Sequence, residues 1–72
     1  MKLIGKINKY NGKYGEIITK DNDIVDFNFE DFSFNQNINI GDIVEFRLEM
    51  KFPNIKIARN INVLSDIQIN FE

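Results

Sequence analysis

The side chains that perform most enzymatic chemistry are scarce in this sequence. It contains no histidine and no cysteine, so the commonest general base, the thiolate nucleophile and the usual zinc ligands are all missing. Its aliphatic hydroxyls, on Thr19, Ser33 and Ser65, do not stand in a nucleophile-elbow motif. The carboxylates between positions 26 and 31 are most simply surface charge. We therefore expect a protein that is not an enzyme and that uses no cofactor.

One short segment has the residue types of a metal site. Asp21-Asn22-Asp23 resembles the start of a calcium-binding loop, whose carboxylate and amide oxygens suit a hard cation. The loop needs glycine at its sixth position and a bidentate glutamate at its twelfth, where this chain has Asp26 and Phe32. We therefore predict a turn and no metal site.

Binding chemistry is better represented, because lysines and tyrosines cluster near the start of the chain. The net charge is −2, but residues 1–20 contain five lysines against the single acid Glu16, whereas residues 21–49 contain eight acids against Arg47. A basic surface must therefore come from the first twenty residues, joined by cations of the last strand. The lysines of the first segment are Lys2, Lys6, Lys9, Lys13 and Lys20.

The elements that must position these residues are strands. Apolar residues recur at period two, and Asn11-Gly12 between two such runs is a strong hairpin signal. We predict an all-β chain with strands at 2–10, 13–20, 24–30, 41–50 and 55–64. Five strands with a long connection after the third favour a small antiparallel Greek-key barrel of the OB type, because closure hides the strand edges. An SH3-like barrel is the alternative.

Alternation within the strands predicts which side chains face the core. In the fourth strand, Val44, Phe46, Leu48 and Met50 share one face, which we assign to the core. In the third strand, Val25 and Phe27 are predicted to be buried, because the opposite register would bury the carboxylate of Asp26 without a partner. Asp26 and Asn28 are then expected on the outer surface.

Residues 2–64 resemble the cold-shock domain family in short motifs that occur in the family's order. Gly5-Lys6-Ile7 is similar to its Gly-x-Val, and Tyr10-Asn11 to its Phe-Asn. Lys13-Tyr14-Gly15-Glu16-Ile17 is similar to its first nucleic-acid motif, and Val25-Asp26-Phe27-Asn28-Phe29 to its second. Gly41-Asp42-Ile43-Val44-Glu45-Phe46 and Ala58-Arg59-Asn60-Ile61 are similar to its Gly-x-x-Val-x-Phe and Ala-x-Asn-Val.

The resemblance implies single-stranded RNA or DNA as the partner, with bases stacked on surface aromatics and lysines on the phosphates. The implied binding residues are Lys6, Lys9, Tyr10, Lys13, Tyr14, Asn28, Phe29, Lys56 and Arg59. Tyr10, which flanks the turn, is also expected to pack against Lys13. The chain has Lys9, Glu16, Asp26 and Asn28 where the family has aromatic or histidine side chains, so the implied binding is weak and has little sequence preference.

A second hypothesis from the same residues is a protein-interaction module on an OB scaffold that has lost nucleic-acid binding. Glu16 and Asp26 favour it because carboxylates repel phosphate. We expect the barrel to span residues 1–64, with residues 65–72 as an extension or edge strand that permits a monomer or a weak homodimer. The absence of cysteine and of a long apolar run predicts a cytoplasmic protein without a membrane partner.

Overall fold

The structure is a computed structural model that describes residues 2–34 and 36–64, which form a closed barrel of five strands. The strands are β1 (Lys2–Tyr10), β2 (Tyr14–Thr19), β3 (Ile24–Asn28), β4 (Ile43–Lys51) and β5 (Ile55–Val63). Around the barrel they follow the order β1, β2, β3, β5, β4, and β1 closes the sheet by pairing with both β2 and β4. The predicted all-β, OB-like barrel is confirmed.

One contact in the barrel differs from the predicted antiparallel arrangement. Strands β3 and β5 run parallel where they meet, at the pair Asp26 and Ile57. A second parallel bridge joins Phe32 to Ile61 beyond the end of β3. The long connection between β3 and β4 reverses the chain once more, so that β5 returns alongside β3 and the sheet can close.

The core consists of the inward side chains of all five strands. Among the described residues, eight hydrophobic side chains are buried: Ile7, Ile17, Val25, Phe27, Val44, Phe46, Ala58 and Ile61. The predicted inward positions of β3 are confirmed, and Asp26 is exposed as expected. Met50 is a correction, because its side chain is 57% exposed. The pairing of β1 with β4 ends at Lys2 and Arg47, so the last residues of β4 extend past the strand that would have covered Met50.

Strand β3 ends two residues earlier than predicted, because its last residue caps a short 3₁₀ turn at Phe29–Asp31. The Asn28 side-chain oxygen accepts a hydrogen bond from the Glu30 amide at 3.0 Å, and Asp31 accepts one from the Asn28 amide at 2.9 Å. This reciprocal capping box satisfies backbone donors that would otherwise be unpaired. The turn moves Phe29 out of the alternating pattern of the strand.

The predicted extension at residues 65–72 lies outside the described residues. Within the described residues, no helix has the length and apolar character needed to cross a membrane.

Candidate nucleic-acid interface

The turn between β1 and β2 fixes the position of Lys13 and Tyr14. The Asn11 side-chain oxygen accepts hydrogen bonds from the Lys13 and Tyr14 amides at 2.9 and 2.8 Å. Gly12 has φ of +97°, a conformation that an L side chain rarely adopts. The side chain of Tyr14 then points outward from β2 and is 54% exposed, and the Lys13 ammonium lies 5.4 Å from the centre of its ring. That distance is within the range of a cation–π contact.

A bulge in β1 decides the direction of Tyr10. Ile7 pairs with Ile17, whereas Lys9 pairs with Glu16, so Asn8 is an extra residue on β1. The extra residue turns Tyr10 inward, where its ring stacks on Phe27 with centroids 5.7 Å apart and planes 22° apart. The expected packing of Tyr10 against Lys13 is therefore wrong. The bulge gives Tyr10 a new partner and leaves Lys13 above Tyr14.

The contact between Tyr10 and Phe27 depends on the absence of a side chain at Gly15. Gly15 pairs with Tyr10 on one side and with Phe27 on the other. A Cβ atom there would lie 2.5 Å from a ring carbon of Phe27 and closer still to the Lys9 carbonyl oxygen. Only glycine lets the Phe27 ring pass beneath β2. Because of this close approach, the stacked rings of Tyr10 and Phe27 lie directly below β2.

Exposed rings gather at the end of β2 and β3 where Tyr14 lies. Asn28 pairs with Tyr14, and the Phe29 amide donates a hydrogen bond to the Lys13 carbonyl at 2.9 Å. Phe29 is 44% exposed, and Phe34 in the following connection is 71% exposed. We call these three exposed rings, together with the partly buried Tyr10, the aromatic rim: Tyr10, Tyr14, Phe29 and Phe34.

Two open grooves border the aromatic rim, and Tyr10 lines both of them. One, of about 670 Å³, runs past Lys9 and Tyr14 and includes Ile40 on its wall. The other, of about 400 Å³, runs past Phe29 and Phe34. Phe34 and Ile40 were not predicted as site residues. The signal available in the sequence was a phenylalanine and an isoleucine in a polar, asparagine-rich connection, where no core position accounts for them.

The lysines of the predicted site fall into two groups. Lys6, Lys9 and Lys13 are exposed on β1 and the first turn, and among residues 2–34 and 36–64 neither Lys9 nor Lys13 takes part in an ion pair. Lys56 is paired with Asp23 at 3.3 Å, at the opposite end of β3 from the rim. Lys9 and Lys13 are thus exposed beside the rim without an ion-pair partner among the described residues, and Lys56 is engaged elsewhere.

Arg59 is also engaged, in a clamp that holds the 3₁₀ turn to the barrel. Its guanidinium donates to Glu49 at 2.7 Å and to Asp31 at 2.6 Å. These hydrogen bonds raise the pKa of Arg59, and the hydrogen bond from Arg59, followed by its charge, lowers the pKa of Glu49. Asp31 also accepts a hydrogen bond from the Asn28 amide. The clamp therefore holds the backbone of the 3₁₀ turn, of which Phe29 is the first residue. Arg59 and Asn28 therefore support the rim through these hydrogen bonds.

Two carboxylates lie side by side beyond the rim. Glu16 pairs directly with Asp26 across β2 and β3, and both side chains point outward. Within the described part of the chain, neither has an ion-pair partner within 4 Å. Lys9 is the cross-strand neighbour of Glu16 on its other side. Next to the row that contains Tyr14, the outer sheet surface therefore has a row in which Lys9, Glu16 and Asp26 follow one another across β1, β2 and β3.

The chain matches no protein-family model, and a search of curated proteins gives no match.

Proposed function

We propose that this chain binds short single-stranded RNA or DNA at the aromatic rim, with bases stacked on Tyr14 and Phe29 and phosphates near Lys9 and Lys13. The observation that supports the proposal is the pair of exposed rings on adjacent, rigid positions, with a lysine above one of them. Bases stack on such rings without regard to sequence, each for about 1–3 kcal/mol. The resemblance of the hairpin motifs to the cold-shock family points to the same ligand.

The expected affinity is modest for two physical reasons. Few exposed rings are available, so the stacking contribution comes from two or three bases. The carboxylates of Glu16 and Asp26 then repel the phosphates of any strand that continues along β2 and β3. The footprint is therefore short and confined to the rim, and stacking on ring faces gives little sequence preference.

The stacking role can be tested by measuring affinity for a fluorescently labelled oligothymidine by anisotropy. Replacing Tyr14 or Phe29 by alanine should weaken binding by a factor of about 5 to 150, which corresponds to the loss of one stacked base. Phe52→Ala is the matched control, because Phe52 is 96% exposed but lies in the turn between β4 and β5. Equal affinities for all three variants and the unmodified chain would refute the proposal.

The phosphate contacts have a separate readout in the salt dependence. For single strands, the slope of log affinity against log salt is about −0.7 for each phosphate neutralised, so the two lysines predict a slope near −1.4. Lys13→Gln should make the slope shallower by about 0.7, whereas Lys51→Gln, the same change of charge at the end of β4, should leave it unchanged. A slope near zero for the unmodified chain would mean that phosphates do not contribute.

A further inference from the structure

The outer face of β2, β3 and β5 has a second surface with a different chemistry from the rim. Glu16 pairs with Asp26, Ile18 pairs with Ile24, and Asp26 pairs with Ile57. Two residues back from Asp26 and Ile57 along these parallel strands are Ile24 and Ile55, which point to the same side. These outward residues form one continuous area, which we call the isoleucine–carboxylate patch: Glu16, Ile18, Ile24, Asp26, Ile55 and Ile57.

The apolar part of this patch is exposed on rigid strands. Ile24 is 43% and Ile55 is 45% exposed, and Ile18 and Ile57 are partly exposed between them and the carboxylates. Contiguous exposed aliphatics on a sheet surface are typical of an interaction site. The patch contains no aromatic ring, so it offers no surface for base stacking. Its apolar groups instead suit the aliphatic side chains of a polypeptide.

The charge of the patch favours basic polypeptides over acidic ones. Within the described residues, Glu16 and Asp26 lack ion-pair partners within 4 Å and stand directly opposite each other, which is unfavourable for two like charges, and the cation Lys9 is the cross-strand neighbour of Glu16 alone. A ligand that brings lysine or arginine to this point removes that repulsion and gains two charge-assisted contacts. Nucleic acid would add to the repulsion. A second copy of the chain in a twofold contact would place the same carboxylates against each other.

We propose that the isoleucine–carboxylate patch docks a basic, amphipathic polypeptide segment of another protein. The isoleucines bind its apolar side chains, and Glu16 and Asp26 bind its lysine or arginine side chains. The patch contains none of the rings of the aromatic rim, so this proposal does not depend on nucleic-acid binding; Glu16 and Asp26 border the groove that runs past Lys9 and Tyr14.

The test is a chemical-shift titration of isotope-labelled full chain with three synthetic peptides of equal length. In the first, lysine alternates with leucine; in the second, glutamate replaces lysine; in the third, serine replaces leucine. The lysine–leucine peptide should shift the amides of Glu16, Ile24, Asp26 and Ile55, and the other two should bind at least about tenfold more weakly. Equal binding of the lysine–serine peptide, shifts confined to the aromatic rim, or no shifts at millimolar peptide would each overturn the proposal.

Matched variants separate the patch from general stickiness and from misfolding. Ile24→Thr should weaken the lysine–leucine peptide several-fold, whereas Ile4→Thr should not, although Ile4 is 42% exposed on β1 and undergoes the same change. The double variant Glu16→Gln with Asp26→Asn should weaken it about tenfold, and Glu30→Gln in the 3₁₀ turn should have no effect. Identical effects of Ile24→Thr and Ile4→Thr would also overturn the proposal.

Discussion

Of the substitutions that add one methyl group at the aromatic rim, Gly15→Ala should most strongly disturb the packing of the Tyr10 and Phe27 rings below it. The new Cβ atom would lie 2.5 Å from a Phe27 ring carbon, whereas carbon atoms normally stay about 3.5–4.0 Å apart, so the overlap is about 1 Å. Overpacking of this kind costs about 1–3 kcal/mol. Displacing the Phe27 ring also loses its stack with Tyr10, worth about 0.5–1.5 kcal/mol. The total is about 1.5–4.5 kcal/mol.

That loss is large for a barrel of 72 residues, which is expected to have about 4–11 kcal/mol of total stability. For a domain of this size each kcal/mol lowers the melting temperature by about 4–8 °C, so Gly15→Ala should lower it by at least about 6 °C. Near-ultraviolet circular dichroism should change as well, because the Tyr10 ring loses its fixed environment. Gly12→Ala is the control: it strains a positive φ in open space, so it should leave the aromatic signal unchanged.

A double-mutant cycle tests the assigned cause. Phe27→Leu removes the ring atoms that the new methyl group of Gly15→Ala would contact. Phe27→Leu should therefore cost clearly less stability in the Gly15→Ala background than in the unmodified chain. The coupling should exceed about 0.5 kcal/mol, measured by urea denaturation. Additive effects of the two substitutions, or an unaltered melting temperature for Gly15→Ala, would show that no close contact exists between Gly15 and the Phe27 ring.

Three further outcomes follow from the site. Asn28→Ala removes the cap of the 3₁₀ turn and should cost about 1 kcal/mol in urea denaturation; an unchanged midpoint would contradict the capping role. Arg59 lowers the pKa of Glu49 in the folded state, so the stability from this pair is present above the ordinary glutamate pKa and declines as pH falls through the folded value; Glu49→Gln should flatten that acid limb. Glu16→Gln removes a charge that repels phosphate and should raise oligothymidine affinity, most strongly at low salt; equal or weaker binding would contradict it.

The strands and their faces could be predicted from the sequence because period-two alternation is a local property. Val25 and Phe27 alternate with Asp26 and Asn28, and only one register avoids burying a carboxylate, so the correct face follows from the residues alone. The first hairpin likewise follows from local residues, because Gly12 adopts the positive φ of the turn and the Asn11 side chain accepts hydrogen bonds from the Lys13 and Tyr14 amides. These features do not require knowledge of distant neighbours.

The parts of the site that escaped prediction depend on contacts between distant segments. Nothing in the sequence around Asn8 marks the bulge that turns Tyr10 toward Phe27, because the bulge is set by the pairing of β1 with β2. Arg59 is one of several cations in sequence, and only the closed barrel brings it between Asp31 and Glu49. Tyr10 and Arg59 were therefore assigned from their residue types alone, and their partners are seen only in the closed barrel.

Binding of single-stranded nucleic acid at the aromatic rim is tested most directly by a chemical-shift titration. The isotope-labelled chain is titrated with short oligothymidine and oligouridine. At low salt, we expect the largest shifts at Lys9, Tyr10, Lys13, Tyr14 and Phe29, with weaker binding near physiological salt. The amides of Ile24 and Ile55 should remain nearly unchanged. Absence of shifts at low salt, or shifts centred on β4 and β5, would contradict the claim.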